Sequence, residues 1–314
     1  MGPDLARVLA GVLPVLMLIA LGMVLRRFKV LDDSTVAGLK RLIVSVALPA
    51  LLFTTFLNTK FAPEHGWVIA IVFGVCLGLL GLGYVFAKLT GGSTYAPFLF
   101  TGFELGMVGF ALFTAVYGTG QLPALGVLAL GHEVFIWFVF VSLLRAVAHT
   151  QQSWTRTLRE LITSPVIIAI LLGLALNAAG LSELVSSGPL GAAVQETLKY
   201  LAAVIVPLVL LIVGYGTKLS WPGVRAALPL VATRLAIVVP LSMALGVWVF
   251  SGLLGLPVIY QHALFTLMVL PPPYIVPLFM PAERAKDQTY ANNVLSLYSL
   301  VSVVIFLTYV VLTA

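Results

Sequence analysis

The chain has little with which to face water. Charged residues fill 9% of its 314 positions and apolar ones 61%, against roughly a quarter and a half in an ordinary soluble domain. So few polar side chains could not cover the core of a soluble fold this long, and the expected surround is hydrocarbon. A single cysteine, Cys76, excludes an intrachain disulfide and a thiolate metal site. It lies in an apolar run and reads as a small packing residue. His132 and Glu133 open like a zinc-protease helix, but position 136 is isoleucine, so the second histidine is missing and zinc is not supported. The sequence has no phosphate-cradling glycine loop, nucleophile triad or paired-aspartate motif. Neither enzyme activity nor a cofactor or resident metal is expected. The net charge of +6 does not point to nucleic acid, because the basic residues sit in loops between apolar runs.

Those apolar runs are what the chain has in quantity. A membrane span takes about 20 apolar residues. The runs between polar breaks predict ten spans, over 6–26, 37–57, 67–87, 95–117, 122–146, 163–181, 196–216, 226–252, 258–281 and 288–312. Short loops would join them, with no separate soluble domain. Span 1 is followed by Arg26, Arg27 and Lys29 instead of being preceded by them, and no small-residue cleavage pattern stands out. It reads as a retained span, not a signal peptide. The loops after odd spans also hold Lys40, Arg41, Lys88, Arg145, Arg156 and Arg159, then Lys218, Arg225, Arg284 and Lys286. The loops after even spans hold only Lys60 and Lys199. This bias puts the odd-numbered loops in the cytoplasm and both termini outside a plasma or inner membrane. Arg234, within span 8, is expected to snorkel toward the cytoplasm. Trp67, Trp137, Trp154, Trp221 and Trp248 mostly read as belt or packing residues.

The two halves echo each other. Span 1 places Pro14 eight residues before Gly22 in PVLMLIALG, and span 6 repeats the spacing with Pro165 and Gly173 in PVIIAILLG. Span 2 then runs LKRLIVSVALP to Pro49 and span 7 LKYLAAVIVP to Pro207. Units of five spans, 1–150 and 151–314, would enter the membrane from opposite faces, the inverted-repeat plan of many transporters.

Two spans carry breaks. Pro271, Pro272 and Pro273, followed by Tyr274 and Pro277, interrupt span 9. Each proline lacks an N–H and clashes with the carbonyl four residues earlier. Backbone left unpaired at that depth must be buried in protein or line a cavity. The counterpart by repeat position, span 4, is loosened by Gly102, Gly106 and Gly109 around Glu104. Gly102 and Gly106 also suit a close helix crossing. Glu104 lies about ten residues into the span, roughly 15 Å deep. Glu133 lies at a similar depth in span 5, with His132 beside it. A charge at mid-bilayer costs at least about 2.5–3.5 kcal/mol, so such groups face a partner or a path for solute. The alternative for either is a neutral acid hydrogen-bonded to a broken helix, and a neutral form suits both to proton binding. Asn292 and Asn293 could cap span 10 or line a cavity. Asn177 and His262, the latter near Tyr260 and Gln261, read as interfacial.

The opening VLPVLMLIALGMVLRRFKVLDDSTVAGLKRLIVSVALPALLF resembles the auxin efflux carrier family, including its bacterial members. So does LMVLPPPYIVPLFMPAERAKDQTYANN, which is similar to the family's proline-broken ninth helix. The resemblance covers essentially the whole chain. It implies a ten-helix, all-α fold of two inverted repeats, with a scaffold part and a transport part, in which broken helices 4 and 9 cross near the substrate. It also implies small organic anions as cargo. Where such proteins offer an asparagine and a proline in the fourth helix, this chain has Glu104 and Ala111. An anion could then enter only with Glu104 protonated; a neutral or cationic solute is the other way to accommodate the acid.

Secondary active transport of a small organic acid by alternating access is therefore the expectation, with proton or sodium as the coupling ion. The expected substrate site comprises Glu104, Gly106, Met107, Gly109, Pro271, Pro272, Pro273 and Tyr274, with Glu104, Glu133 and His132 in coupling. The rivals are a facilitative uniporter and a membrane sensor that binds ligand without moving it. Expected partners are the solute and the bilayer, with a homodimer allowed for.

Overall fold

The computed structural model describes residues 5–59, 62–147, 163–216 and 221–313. Lys60, Trp154, Arg156, Arg159 and Lys218 lie outside the described residues, and so does the side chain of Met107. Within them every regular element is helical and no strand occurs. In chain order the main helices are α1 (Leu5–Arg27), α2 (Asp33–Asn58), α3 (Glu64–Thr90), α4a (Ala96–Phe100), α4b (105–117), α5 (Thr119–Val147), α6 (Pro165–Ala178), α7 (Gly188–Gly216), α8 (Trp221–Leu253), α9 (Ile259–Val269) and α10 (Ala285–Thr313), with a short helix Ser182–Ser186 between α6 and α7. Six of them, α2, α3, α5, α7, α8 and α10, are long and apolar enough to cross a membrane.

Several are longer than their apolar runs. α7 begins at Gly188 and α8 at Trp221, eight and five residues before the stretches that hydropathy marks, and each opens with a proline at its second position, Pro189 and Pro222, where the missing N–H costs the helix nothing. Asp32 starts α2 as an N-cap, its Oδ1 accepting the Thr35 N–H at 2.7 Å. A π turn over Ile43–Ala47 sits just before Pro49, which has no N–H to give the preceding turn.

Packing divides the helices into two groups. α1 lies on α7 and α6 on α2. Glycines let the backbones meet there: Gly22 and Gly214 fit against the carbonyls of Leu211 and Ile19, and a Cβ on Gly173 would stand 2.8 Å from the Phe53 carbonyl oxygen. In the second group α3 lies on α5 and α4a, and α8 on α10 and α9. Phe98, Phe100, Phe103, Phe113, Phe135 and Phe140 form its interior, none more than 1% exposed. The outer surface is apolar, with Trp221, Trp248 and Leu253 each more than 70% exposed. A hydrocarbon surround would cover that surface, and nothing else in the described chain does.

Candidate functional site at the helix crossing

Helices 4 and 9 both stop in mid-course and restart. α4a ends at Phe100, and after Thr101–Glu104 the chain re-enters a helix through the π turn Leu105–Gly109. α9 ends at Val269, Leu270 turns extended, and Pro271–Pro273 carry no regular structure before the 3-10 turn Val276–Phe279. The two gaps face each other and trade hydrogen bonds. The Glu104 N–H donates to the Pro271 carbonyl at 2.8 Å. In return Glu104 Oε2 accepts the Tyr274 N–H at 2.7 Å. Each break thus satisfies a main-chain group the other has freed, as buried backbone requires. The Glu104 carbonyl accepts from both Val108 and Gly109, at 3.2 and 3.1 Å, which is how the π turn closes.

Gly102 makes the approach possible. Its φ is +66°, and a Cβ there would stand 2.8 Å from Pro273 Cγ, so a side chain meets both backbone strain and a clash. Gly109 serves contact on the other flank, where a Cβ would press on Leu270 Cδ1 at 2.6 Å.

Arg234 corrects one expectation. It does not snorkel: it is 0% exposed and reaches into the crossing from α8. Its Nη1 donates to the Leu99 carbonyl at 3.1 Å, and Nη2 to those of Gly102 at 2.6 Å and Leu270 at 3.4 Å. The rings of Phe103 and Tyr298 flank the guanidinium at 5.1 and 4.8 Å. The carbonyls freed at the ends of α4a and α9 hold it more firmly than a distant interface could.

A cavity of about 1000 Å³ opens beside the crossing. Glu104, Gly106, Pro273 and Tyr274 form its inner end, and His132, Glu133 and Trp137 of α5 line one side. From there it extends to the end of the molecule where Asp33, Lys40, Ser164 and Gly216 lie. Of the residues expected at a substrate site, Gly109, Pro271 and Pro272 are buried and off this wall. Pro271 reaches it only through its carbonyl bond to Glu104. Sequence reading missed much of the wall: Val36, Val44 and Leu48 of α2, Ile212 and Tyr215 of α7, and Thr289 and Ser296 of α10. Asn292 and Asn293 do line it.

His132 and Glu133 form a chain of bonds into the break. The Phe103 N–H donates to His132 Nε2 at 3.0 Å. That nitrogen therefore offers its lone pair, the ring proton sits on Nδ1, and Nδ1 faces Glu133 Oε1 at 3.3 Å. Trp137 Nε1 donates to Glu133 Oε2 at 3.1 Å. An acid followed four residues later by tryptophan on one helix face was the signal for this pair.

Beyond the crossing, at the other end, rings fill the space. Tyr117 stacks on His262 at 5.1 Å, and His262 Nδ1 lies 2.8 Å from the Tyr309 hydroxyl. Nearby, the Tyr260 hydroxyl lies 2.7 Å from His65 Nε2. His262 is thus half-buried within the helices. Asn177 joins α6 to the end of α2, donating to the Phe56 and Thr59 carbonyls at 2.8 and 2.6 Å.

Interrupted helices that cross beside a largely apolar cavity with a few ionisable groups on its wall, in an apolar helical body, define a class of membrane protein built to pass solutes. The sequence agrees. The profile of the family described as "Membrane transport protein" matches residues 7–310, and the chain belongs to that family, the one that includes the auxin efflux carriers. It is also similar to an "Uncharacterized transporter" of Methanothermobacter thermautotrophicus, 26% identical over 213 residues. That match covers 65% of this chain and 66% of the relative, just under two thirds of the latter's length. The protein is a multi-pass membrane protein of a transporter family.

Proposed function

We propose that the chain is a secondary transporter that carries a small organic acid together with a proton by alternating access. The observation that carries this reading is the bond from the Tyr274 N–H to Glu104 Oε2 at the inner end of the cavity. Glu104 holds the N–H that a substrate carboxylate would seek at the break. A proton on Glu104 weakens that hold, since a charged acceptor bonds more strongly than a neutral one. Anion and proton then enter as a neutral pair. His132 and Glu133 would pass the proton or gate it: an imidazole protonated at Nε2 can no longer accept the Phe103 N–H.

The packing supports an inverted repeat of five helices each, over 1–150 and 151–314. The pair α1–α7 answers α6–α2, α3–α5 answers α8–α10, and α3–α4a answers α8–α9. With Lys40 near the start of α2 and the basic loops in the cytoplasm, the cavity faces inward and the Tyr117–His262–Tyr309 stack closes the outside. Both termini would then lie outside a plasma or inner membrane.

A second reading has its own support. Asp33, Glu104 and Glu133 share the wall with Lys40, an acidic lining that suits a cationic solute such as an amine. Proteoliposome uptake separates the two. An imposed proton gradient should drive accumulation of a carboxylate, and Glu104→Gln should abolish the pH dependence. Amine uptake that protons inhibit would favour the second reading, and uptake that only equilibrates, with neither an imposed proton nor a sodium gradient driving accumulation, would mark a uniporter. Unchanged transport and pH dependence in Glu104→Gln would remove the coupling role.

A further inference from the structure

Three main-chain carbonyls, of Leu99, Gly102 and Leu270, converge from two broken helices on one point within the protein. Carbonyls freed in this way are hard oxygen ligands, and unwound helices in transporters use them to hold Na⁺. Here the point is taken by the guanidinium of Arg234, planar, permanently charged and able to fork between acceptors. No carboxylate among the described residues lies within ion-pair distance of it. Its charge is matched instead by the carbonyl dipoles and the faces of Phe103 and Tyr298.

We propose that Arg234 is the built-in cation of the crossing. Its guanidinium occupies the seat an inorganic cation would otherwise hold, and it keeps α4a and α9 in place. Sodium is therefore not bound at these carbonyls, and the Glu104 side of the crossing is left to solute and proton. That consequence for coupling rests on the transport reading. The cation seat itself does not, so the experiment reads cation binding and not flux.

The test is thermal unfolding of the purified full chain in detergent, in NaCl, KCl or choline chloride at equal ionic strength. The parent protein should melt at the same temperature in all three. Arg234→Ser should melt several degrees lower in choline chloride. It should recover part of the loss in NaCl or in low-millimolar guanidinium chloride, with equimolar urea giving no recovery. Arg234→Lys should keep most of the stability and stay indifferent to sodium. A sodium-specific rise in the parent protein would overturn the proposal, as would an Arg234→Ser protein that neither sodium nor guanidinium rescues. Should Arg234→Ser fail to fold, the parent and Arg234→Lys decide: indifference to sodium in both supports the seat being filled, and a sodium-specific rise in either overturns it.

Discussion

On one side of the crossing, the Arg234 guanidinium meets three freed carbonyls with none of its surface exposed. On the other, the Glu104 carboxylate accepts the Tyr274 N–H at the wall of a cavity. Both side chains supply partners that a broken helix lacks. They differ in access: the guanidinium is buried off the cavity wall, whereas the carboxylate lines the cavity and, in the proposed cycle, is protonated and displaced. On that proposal one side fixes the geometry of the break and the other works on what enters.

That contrast can be pressed from both ends. Arg234→Met should be the most damaging change, since it leaves the carbonyls of Leu99, Gly102 and Leu270 without a donor. Each buried unsatisfied group costs about 1–3 kcal/mol, so the loss in thermal or denaturant unfolding should be about 3 kcal/mol or more. Gly102→Ala strikes the joint between the two sides. The positive φ of 66° and the approach to Pro273 predict a loss of about 1–3 kcal/mol in the same assay. Glu104→Gln should shift stability by less than about 1 kcal/mol, because the amide oxygen still accepts the Tyr274 N–H at the cost of one charge-assisted bond. Equal destabilisation of Arg234→Met and Glu104→Gln would erase the distinction.

The smallest effect is expected far from the crossing, at the cap of α2. Hydrogen bonds from Thr35 and Ser34 hold the Asp32 carboxyl down at about 2. A carboxyl lowered in the folded state adds stability that is complete above its ordinary 3.8 and fades as pH falls through about 2. Asp32→Ala should therefore melt slightly below the parent at neutral pH, with the gap narrowing below pH 3.8. A gap that widens on acidification would reverse the sign of this argument.

The breaks themselves were legible in the sequence. Three consecutive prolines cannot continue a helix, and Glu104 stands out as an acid among glycines in an apolar run. The bonds across the crossing were not. Arg234 finds its carbonyls 135, 132 and 36 residues away, and a local reading of α8 sent it toward the membrane surface instead. The cavity wall was half legible for a related reason. His132 and Glu133 announce themselves as charges in hydrocarbon. Val36, Leu48 and Ile212 look like any apolar residue, and only packing reveals which of them face the cavity. Asp33 was hidden in a loop-like acidic pair, although its Oδ1 accepts the Tyr215 hydroxyl at 2.7 Å across 182 residues.

Proton uptake on solute binding tests the central claim most directly. The purified protein, in weakly buffered detergent solution, is mixed with short carboxylic acids and the pH is followed. If the anion takes the Tyr274 N–H from Glu104, binding draws a proton from solution, and Glu104→Gln binds without doing so. Carboxylate binding with no proton uptake, or uptake that persists in Glu104→Gln, would contradict the account.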